Sequence, residues 1–281
     1  MCDRWSFFIE LLLLLIIGAG AVLLLYKYRS FKRRKKEFEQ EIAELEEHRD
    51  FLNNAGVRLL ELKEALELEQ QKSDKLLRSL LPERVVRDLQ EKGRSLPERF
   101  EYTAVFFADI VNFTGIVPNI EPEELLSELN DIFGTFDRII AKHHCERIKT
   151  VGDAYMAASG MHQCDGDPCC NMLNAALEIR ETLIKRNQQS NTRKWQMRFG
   201  INTGPVIGGI VGQEKYLYDI FGDTVNMASR IEHSSEAMKI NVPEKVVLAT
   251  QDKFDFEYRG VFQVKGRGEV VMYFLNGAKK I

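Results

Sequence analysis

Short apolar runs alternate with helical patterns from Phe100 to Leu275, and this alternation limits the possible fold more than any other feature of the chain. The run from Thr103 to Ile110 is apolar on both sides, which predicts a strand buried on both faces. Apolar residues recur at helical spacing from Glu121 to Lys142, which predicts an amphipathic helix. Further strands are predicted at 146–150, 154–159, 196–202, 206–211, 254–264 and 270–275, and further helices at 171–187, from 223 onward and at 243–249. This order predicts an α+β domain with a mostly antiparallel sheet and helices over it.

The composition divides the 281 residues into three parts. Residues 1–28 are predicted to form a transmembrane helix, residues 29–95 a basic juxtamembrane segment and coiled-coil linker, and residues 96–281 a globular domain. The net charge of −3 argues against a nucleic-acid partner. The five cysteines have no framework spacing, which is typical of a reducing compartment and not of a disulfide scaffold.

An apolar run near the N-terminus predicts a membrane span. Leu11 to Tyr26 contains no charge, and Trp5 to Phe8 extends the run to about 20 residues, enough to cross ~30 Å of hydrocarbon. A basic cluster at residues 29–36 follows directly, so the positive-inside rule places the N-terminus outside the cell membrane and the globular domain in the cytoplasm. A cleaved signal peptide is the alternative, because small residues occur at 18–21. Membrane lipid, and a lateral or upstream membrane protein, are therefore expected partners.

An apolar residue recurs every seven positions after the basic cluster, with one lapse at Ser73. The repeat consists of Phe31, Phe38, Leu45, Leu52, Leu59, Leu66 and Leu80. Glu and Lys fill much of the remainder, which predicts a parallel two-stranded coiled coil. The alternative is a single amphipathic helix that lies on its own domain. Pro82 ends or restarts the helix, and a linker is expected near Gly93 to Pro97.

The stretch from Phe221 to Glu232, FGDTVNMASRIE, predicts a glycine-containing turn that leads into a helix. Asp223 or Thr224 is expected to cap this helix. Asn226 and Arg230 are four residues apart and therefore share one helical face. An amide and a permanent cation on one face suit an anionic, hydroxylated ligand. The alternative is an ordinary amphipathic helix with a solvated polar face.

Two aspartates follow predicted strands. Asp109 lies at the end of the first apolar strand, and Asp153 lies in the turn between two later strands. Carboxylates that converge can bind Mg²⁺ together with phosphate oxygens. The turn Ile110 to Gly115, which includes Phe113 and Thr114, presents backbone N–H groups that suit phosphate. For either aspartate alone, an ordinary turn or cap residue is the alternative.

Five segments in this order resemble the class III nucleotidyl cyclases. They are FADIVNFTG, ERIKTVGDAYMAASG, GINTGPVIGGIVG, FGDTVNMASRIE and VKGRGEV, and the resemblance covers roughly Tyr102 to Leu275. It implies a ferredoxin-like βαββαβ core with added elements. That expectation agrees with the order of elements predicted above.

The resemblance also implies a role for individual residues. Asp109, Asp153 and the Ile110 carbonyl would bind two Mg²⁺ (or Mn²⁺) per active site. Asn226 would position the ribose, and Arg230 would stabilise charge on the α-phosphate in the transition state. The substrate would also contact Lys149, Asp219 and Ile220 at the purine, Arg198 and Lys265 at the polyphosphate, and Phe113 and Thr114 in the phosphate turn.

The purine-contacting residues favour adenine in this interpretation. Adenine offers an N6 amino donor and an N1 acceptor, whereas Lys149 can only donate and ionised Asp219 can only accept. Relatives that select guanylate typically have Glu and Cys at these positions. We therefore expect an adenylate cyclase that converts ATP into 3′,5′-cyclic AMP and pyrophosphate by in-line attack of the ribose 3′-hydroxyl. The alternatives are a guanylate cyclase and a catalytically silent, nucleotide-binding regulatory subunit.

The family also builds its active site from two subunits. The metal aspartates come from one subunit, and the purine, ribose and arginine groups come from its neighbour. All of these residues occur in the present chain, so the resemblance implies a homodimer with two complementary sites. The predicted coiled coil would set the register of that dimer.

Overall fold

The computed structural model describes residues 2–161, 166–190, 193–212 and 216–279; within the first 16 residues it describes the helical backbone and the side chain of Leu14 alone. The chain divides into two units, residues 1–79 and residues 80–281.

Helix α1 forms the first unit and runs without interruption from Cys2 to Leu80. The heptad residues from Phe31 to Leu80 are between 63% and 76% exposed, so the apolar stripe lies on the surface of this helix. Its coiled-coil pairing stays a prediction. About half of the side chains in the predicted membrane span, residues 5–26, lie outside the described ones. Among the described residues, no helix combines the length and the apolar character that crossing a membrane requires.

The described residues of the second unit form six further helices, eight strands and a 3₁₀ turn. The helices are α2 (Glu83–Lys92), α3 (Phe113–Ile116), α4 (Pro122–Lys142), α5 (Pro168–Asn187), α6 (Asp223–His233) and α7 (Glu244–Thr250), and the 3₁₀ turn is Val117–Asn119. The strands are β1 (Glu98–Ile110), β2 (Glu146–Val151), β3 (Ala154–Ser159), β4 (Met197–Val211), β5 (Leu217–Phe221), β6 (Ile240–Pro243), β7 (Phe254–Val264) and β8 (Gly268–Ala278). The predicted α+β class is confirmed.

All eight strands belong to one sheet with the order β2-β3-β1-β4-β6-β8-β7, and β5 pairs with β4 beside this path. The pairing of β4 with β6 is parallel, and the other pairings are antiparallel. Helices connect β1 to β2 and β3 to β4, so the first half of the domain follows the order βαββαβ. Two strands at the centre, β1 and β4, pair over most of their length, from Glu98 opposite Gly208 to Ile110 opposite Met197.

The sheet is buried on both faces. On one face Phe106 and Phe199 stack at 6.1 Å between ring centroids and join the main core with α4 and α5. On the other face Val105 and Phe107 pack with Ala228 of α6. Neighbouring residues of β1 therefore serve opposite cores, as its apolar run predicts. Burying both faces fixes β1 firmly, and Asp109 is located near the end of that strand.

The observed elements differ from the predicted ones at several places. The predicted turn at 203–205 is wrong, because β4 continues through it and Pro205 lies where the pairing with β1 shifts register. Strands β5 and β6 were not predicted because both are short. The linker at 93–97 contains no helix or strand, as predicted, and Gly93 ends α2 in the left-handed conformation with φ of 68°.

Candidate functional site

Helix α6 presents the predicted polar face. Asn226 is exposed and Arg230 is half-buried. Met227 and Ile231 are buried and form an apolar cluster with Val264 and Met272. The predicted cap is wrong. Gly222 occupies the N-cap position with φ of 139°, and Thr224 donates its hydroxyl to the Pro205 carbonyl at 2.7 Å. The turn therefore depends on glycine and on a bond to β4, and not on a side-chain cap.

The turn between β7 and β8 lies beside Arg230. A Cβ atom on Gly266 would stand 3.7 Å from Arg230 Nη1, so this guanidinium reaches the turn. Lys265 is exposed in the same turn, and Arg267 forms an ion pair with Asp223 at the start of α6. The structure thus brings Arg230 and the segment that carries Lys265 together. Two cations at one edge suit a polyphosphate.

The two predicted metal-binding aspartates also come together. Burial, the charge of Asp109 and a hydrogen bond between the two carboxyl groups all raise the pKa of Asp153. Carboxyl groups that repel one another in this way are stabilised by a cation between them, so the pair fits a divalent metal ion. Among the described residues, no group of three or more His, Cys, Asp and Glu side chains is arranged to hold a metal. A metal here would therefore also need oxygens from the backbone, water or substrate.

Arg198 connects this acidic pair to α6. Its Nη2 donates to Asp109 Oδ2 at 2.7 Å, and its Nε donates to Glu232 Oε1 at 3.1 Å. Glu232 is only 5% exposed, and its pKa is raised to about 7, first by burial and then by the charge of Asp109. In the structure, Arg198 thus holds two carboxylates. Its predicted contact with polyphosphate stays a prediction.

Glu232 is a site residue that the sequence analysis does not identify. It lies two residues after Arg230 in the same motif, but its partner Arg198 is 34 positions away in sequence. Gly200 makes the contact possible, since a Cβ atom there would be 2.2 Å from the backbone nitrogen of Glu232. The end of α6 therefore packs directly against the β4 backbone. A glycine on a buried strand two residues from Arg198 was the available signal.

Lys149 and Asp219 form the predicted purine-contacting pair. Lys149 Nζ donates to Asp219 Oδ2 at 2.5 Å, and the Ile220 backbone N–H donates to the other carboxylate oxygen at 2.9 Å. Their side chains are 39% and 19% exposed, so the pair is reachable from solvent. The Ile220 side chain is buried in the same apolar cluster as Val105, Phe107 and Ala228. Only its backbone is near the polar groups.

The turn after Asp109 is less open than predicted. Asn112 adopts a left-handed conformation with φ of 58°, and the Gly115 N–H donates to the Asn112 carbonyl at 3.1 Å. Phe113 packs its ring against Trp195 at 6.5 Å between centroids. The Gly115 N–H is therefore used by a hydrogen bond within the turn, and the Phe113 side chain packs against the core. The roles of the Phe113 and Thr114 N–H groups stay predictions.

Several known proteins are similar to this chain. A family model described as the adenylate and guanylate cyclase catalytic domain matches residues 96–277. A receptor-type guanylate cyclase of Caenorhabditis elegans, gcy-23, is 38% identical over 234 residues, which is 81% of this chain and 22% of the relative. Human guanylyl cyclase C is 37% identical over 217 residues, which is 75% of this chain and 20% of the relative. The chain thus spans about a fifth of the length of these curated relatives.

A solved structure shows the same fold. The guanylate cyclase domain of RhGC from Catenaria anguillulae, in complex with GTP, superposes with a TM-score of 0.62 at 30% identity. The match covers 65% of this chain and all of that domain. The similarity is therefore of the whole catalytic domain and not of isolated motifs.

Proposed function

Because the chain belongs to the adenylate and guanylate cyclase catalytic domain family, we propose that it converts GTP into 3′,5′-cyclic GMP and pyrophosphate. One observation carries the choice of nucleotide. The relatives that are 37–38% identical over 75–81% of the chain are guanylate cyclases. The predicted adenylate cyclase activity is wrong on this comparison, and so is the prediction of ATP as substrate.

Lys149 and Asp219 also suit guanine, for a physical reason. Guanine presents an O6 acceptor beside an N1–H donor and an N2 amino donor. On adenine the lysine would donate to N1 and the carboxylate would accept from the N6 amino group. On guanine the lysine would donate to O6 and the carboxylate would accept from N1–H, so each keeps its role and only the purine position that it meets changes. Lys149 and Asp219 therefore supply one donor and one acceptor that suit either purine. Their identity alone does not select adenine.

In this proposal the acidic pair binds the metal ions, and α6 contacts the ribose and the α-phosphate. Asp109 and Asp153, with the Ile110 carbonyl, would hold two Mg²⁺ or Mn²⁺ ions, which supply charge neutralisation and a lower pKa for the ribose 3′-hydroxyl. Asn226 would orient the ribose for in-line attack on the α-phosphorus. Arg230 would stabilise the negative charge that develops there, and Lys265 would hold the departing pyrophosphate.

We place this site at the interface of a homodimer. The metal aspartates of one chain would face Lys149, Asp219, Asn226 and Arg230 of the partner. Helix α1, with its exposed heptad residues, supports pairing of two copies. The N-terminal apolar run would anchor that dimer in the cell membrane with the catalytic domain of residues 96–281 in the cytoplasm. Receptor-type relatives support this anchoring.

The test is a side-by-side assay of the purified chain with GTP, ITP and ATP, each with Mg²⁺ or Mn²⁺, and with Asp109→Asn as the inactive control. We expect cyclic GMP from GTP. ITP retains O6 and N1–H, the two groups that Lys149 and Asp219 would contact, and lacks only the amino group, so we expect its kcat/KM to stay within about 3-fold of the value for GTP. Formation of cyclic AMP from ATP without cyclic GMP from GTP would contradict the proposal.

A further inference from the structure

We propose that Glu232 is a positioning residue of the metal site, which acts through Arg198 to hold the Asp109 carboxylate and to keep the site negative enough for a divalent cation. The inference rests on the proposed function, because it takes Asp109 and Asp153 as the metal-binding pair. It assigns a role to a residue outside the predicted site.

The hydrogen bonds give the geometric part of the argument. Arg198 uses two different nitrogens of one planar group, Nη2 for Asp109 and Nε for Glu232. With Nε held by Glu232, the guanidinium plane is fixed, and Asp109 is contacted through Oδ2. Without Glu232, the guanidinium would be free to turn both of its edges toward Asp109 and compete with a metal ion for the carboxylate oxygens. Partners of this kind around a metal ligand typically change metal affinity by about 10- to 100-fold.

The net charge of these side chains supports the same inference. When ionised, Asp109, Asp153 and Glu232 carry three negative charges and Arg198 carries one positive charge, so the group has a net charge of −2. Removal of Glu232 would leave −1. In a partly buried site the remaining attraction for a divalent cation would be weaker, because Arg198 would then offset one of the two metal-binding carboxylates.

The backbone explains why Glu232 can hold this position. Gly200 lets the end of α6 lie directly on β4, and Glu232 is 5% exposed there. The carboxylate therefore cannot retreat into solvent. Arg198 lies on the same strand, opposite Asp109 in the β1–β4 register. Strand and helix thus fix both ends of the bridge.

The test measures Mn²⁺ binding directly, by electron paramagnetic resonance, on the full chain with 3′-deoxy-GTP and separately with 3′-deoxy-ATP. These nucleotides lack the attacking hydroxyl, so binding is measured without turnover. Measurements at about pH 8.5 keep Glu232 ionised. Glu232→Leu removes the acceptor and keeps the volume, and Glu232→Gln keeps an acceptor without the charge. The matched control is Glu178→Gln, which removes a carboxylate that pairs with Lys142 and His143.

We expect the Mn²⁺ dissociation constant to rise at least about 10-fold in Glu232→Leu, by an intermediate factor in Glu232→Gln, and less than about 2-fold in Glu178→Gln. Should Glu232→Leu fail to fold, as judged by its melting curve, Arg198→Lys takes its place, because one ammonium group cannot reproduce the two-edged bridge; the same rise is expected. Equal Mn²⁺ affinity in the wild type and the folded variants would overturn this inference alone. Normal Mn²⁺ binding without formation of cyclic GMP from GTP would instead contradict the proposed function.

Discussion

Lys149 and Asp219 are 70 positions apart in sequence, yet they form an ion pair of 2.5 Å between β2 and β5. The Ile220 N–H holds the second carboxylate oxygen, so the acceptor is oriented before any nucleotide binds. The pair offers one donor and one acceptor from opposite strands. The contribution to purine binding that we propose for it is therefore measurable one residue at a time.

Replacing either member should weaken use of GTP. For Lys149→Met and for Asp219→Leu we expect kcat/KM for GTP to fall about 10- to 100-fold, the usual value of a hydrogen bond to a charged group. Steady-state assays on purified variants measure this loss. Arg147→Gln is the control, since Arg147 lies on the same strand but pairs with Asp137. An unchanged kcat/KM in both variants would remove this pair from the substrate site.

A shared active site predicts complementation between inactive variants. We expect Asp109→Asn and Arg230→Ala to be inactive alone, because each removes one half of both sites. After unfolding and co-refolding, random pairing gives half heterodimers with one intact site in two, so about a quarter of the wild-type activity should return. No recovery in a mixture shown to contain heterodimers would place all of these groups in one chain.

The close contact at Gly200 predicts a large loss of stability on adding a single methyl group. A Cβ atom there would lie 2.2 Å from the Glu232 backbone nitrogen, so Gly200→Ala should lower the free energy of unfolding by about 3 kcal/mol or more. Urea denaturation measures the change. Gly134→Ala is the matched control: no atom lies within 4 Å of its Cβ position in α4, so it should be neutral or stabilising by up to about 1 kcal/mol.

Glu232 predicts a pH dependence of stability. Its pKa is raised to about 7 in the folded chain and returns to its ordinary value near 4.5 on unfolding. The folded state therefore binds the extra proton between these values, and the stabilisation it gives is lost as pH rises through 7. Asp109 and Asp153 reinforce this shift, and Arg198 opposes it.

The Glu232→Gln variant is the comparison, because glutamine does not titrate over this pH range. In the presence of a chelator, we expect its melting temperature to match that of the wild type near pH 5 and to exceed it near pH 8. Thermal melts at several pH values measure the difference. A difference that does not change with pH would show that the side chain has the same charge when folded and unfolded.

The exposed heptad residues of α1 predict that the dimer depends on this helix. Leu52→Asp combined with Leu59→Asp would place like charges in the seam, and we expect the dimer dissociation constant to rise at least about 100-fold. Sedimentation measures it, and specific activity should fall with dilution in parallel. The control is Asn54→Asp combined with Glu61→Asp, which places acidic residues two positions after Leu52 and Leu59, outside the apolar seam. Equal dissociation of both double variants would locate dimer formation elsewhere.

The apolar patterns of the sequence were enough to predict the main elements and the α+β class. Ile132, Phe133 and Phe136 of α4 are buried as their spacing predicts, and the turn at 151–153 separates β2 from β3. In such segments local spacing and final burial agree, because each element faces one core.

Where the prediction fails, pairing between distant segments decides the structure. Gly204 and Pro205 suggest a turn, but Thr103 and Ala104 of β1 pair with β4 at 204 and 203 and keep the strand extended. Strand β5 is short and exists because it pairs with the second half of β4. The Arg198–Glu232 contact likewise joins β4 to α6, and no local sequence pattern predicts that these two elements lie together. The same limit explains the error about adenine, since residue types give donors and acceptors but not the purine edge they meet.

Helix α6 has 11 residues, so it behaves as one stiff rod roughly 16 Å long. It presents Asn226 and Arg230 outward and is clamped to the sheet at Glu232. A tilt of this rod would displace Arg230 and disturb the hydrogen bonds through which Arg198 joins Glu232 to Asp109 in a single movement. In the homodimer proposed above those two parts would serve different active sites, so each rod would couple the two pockets mechanically, and both would gain or lose competence together.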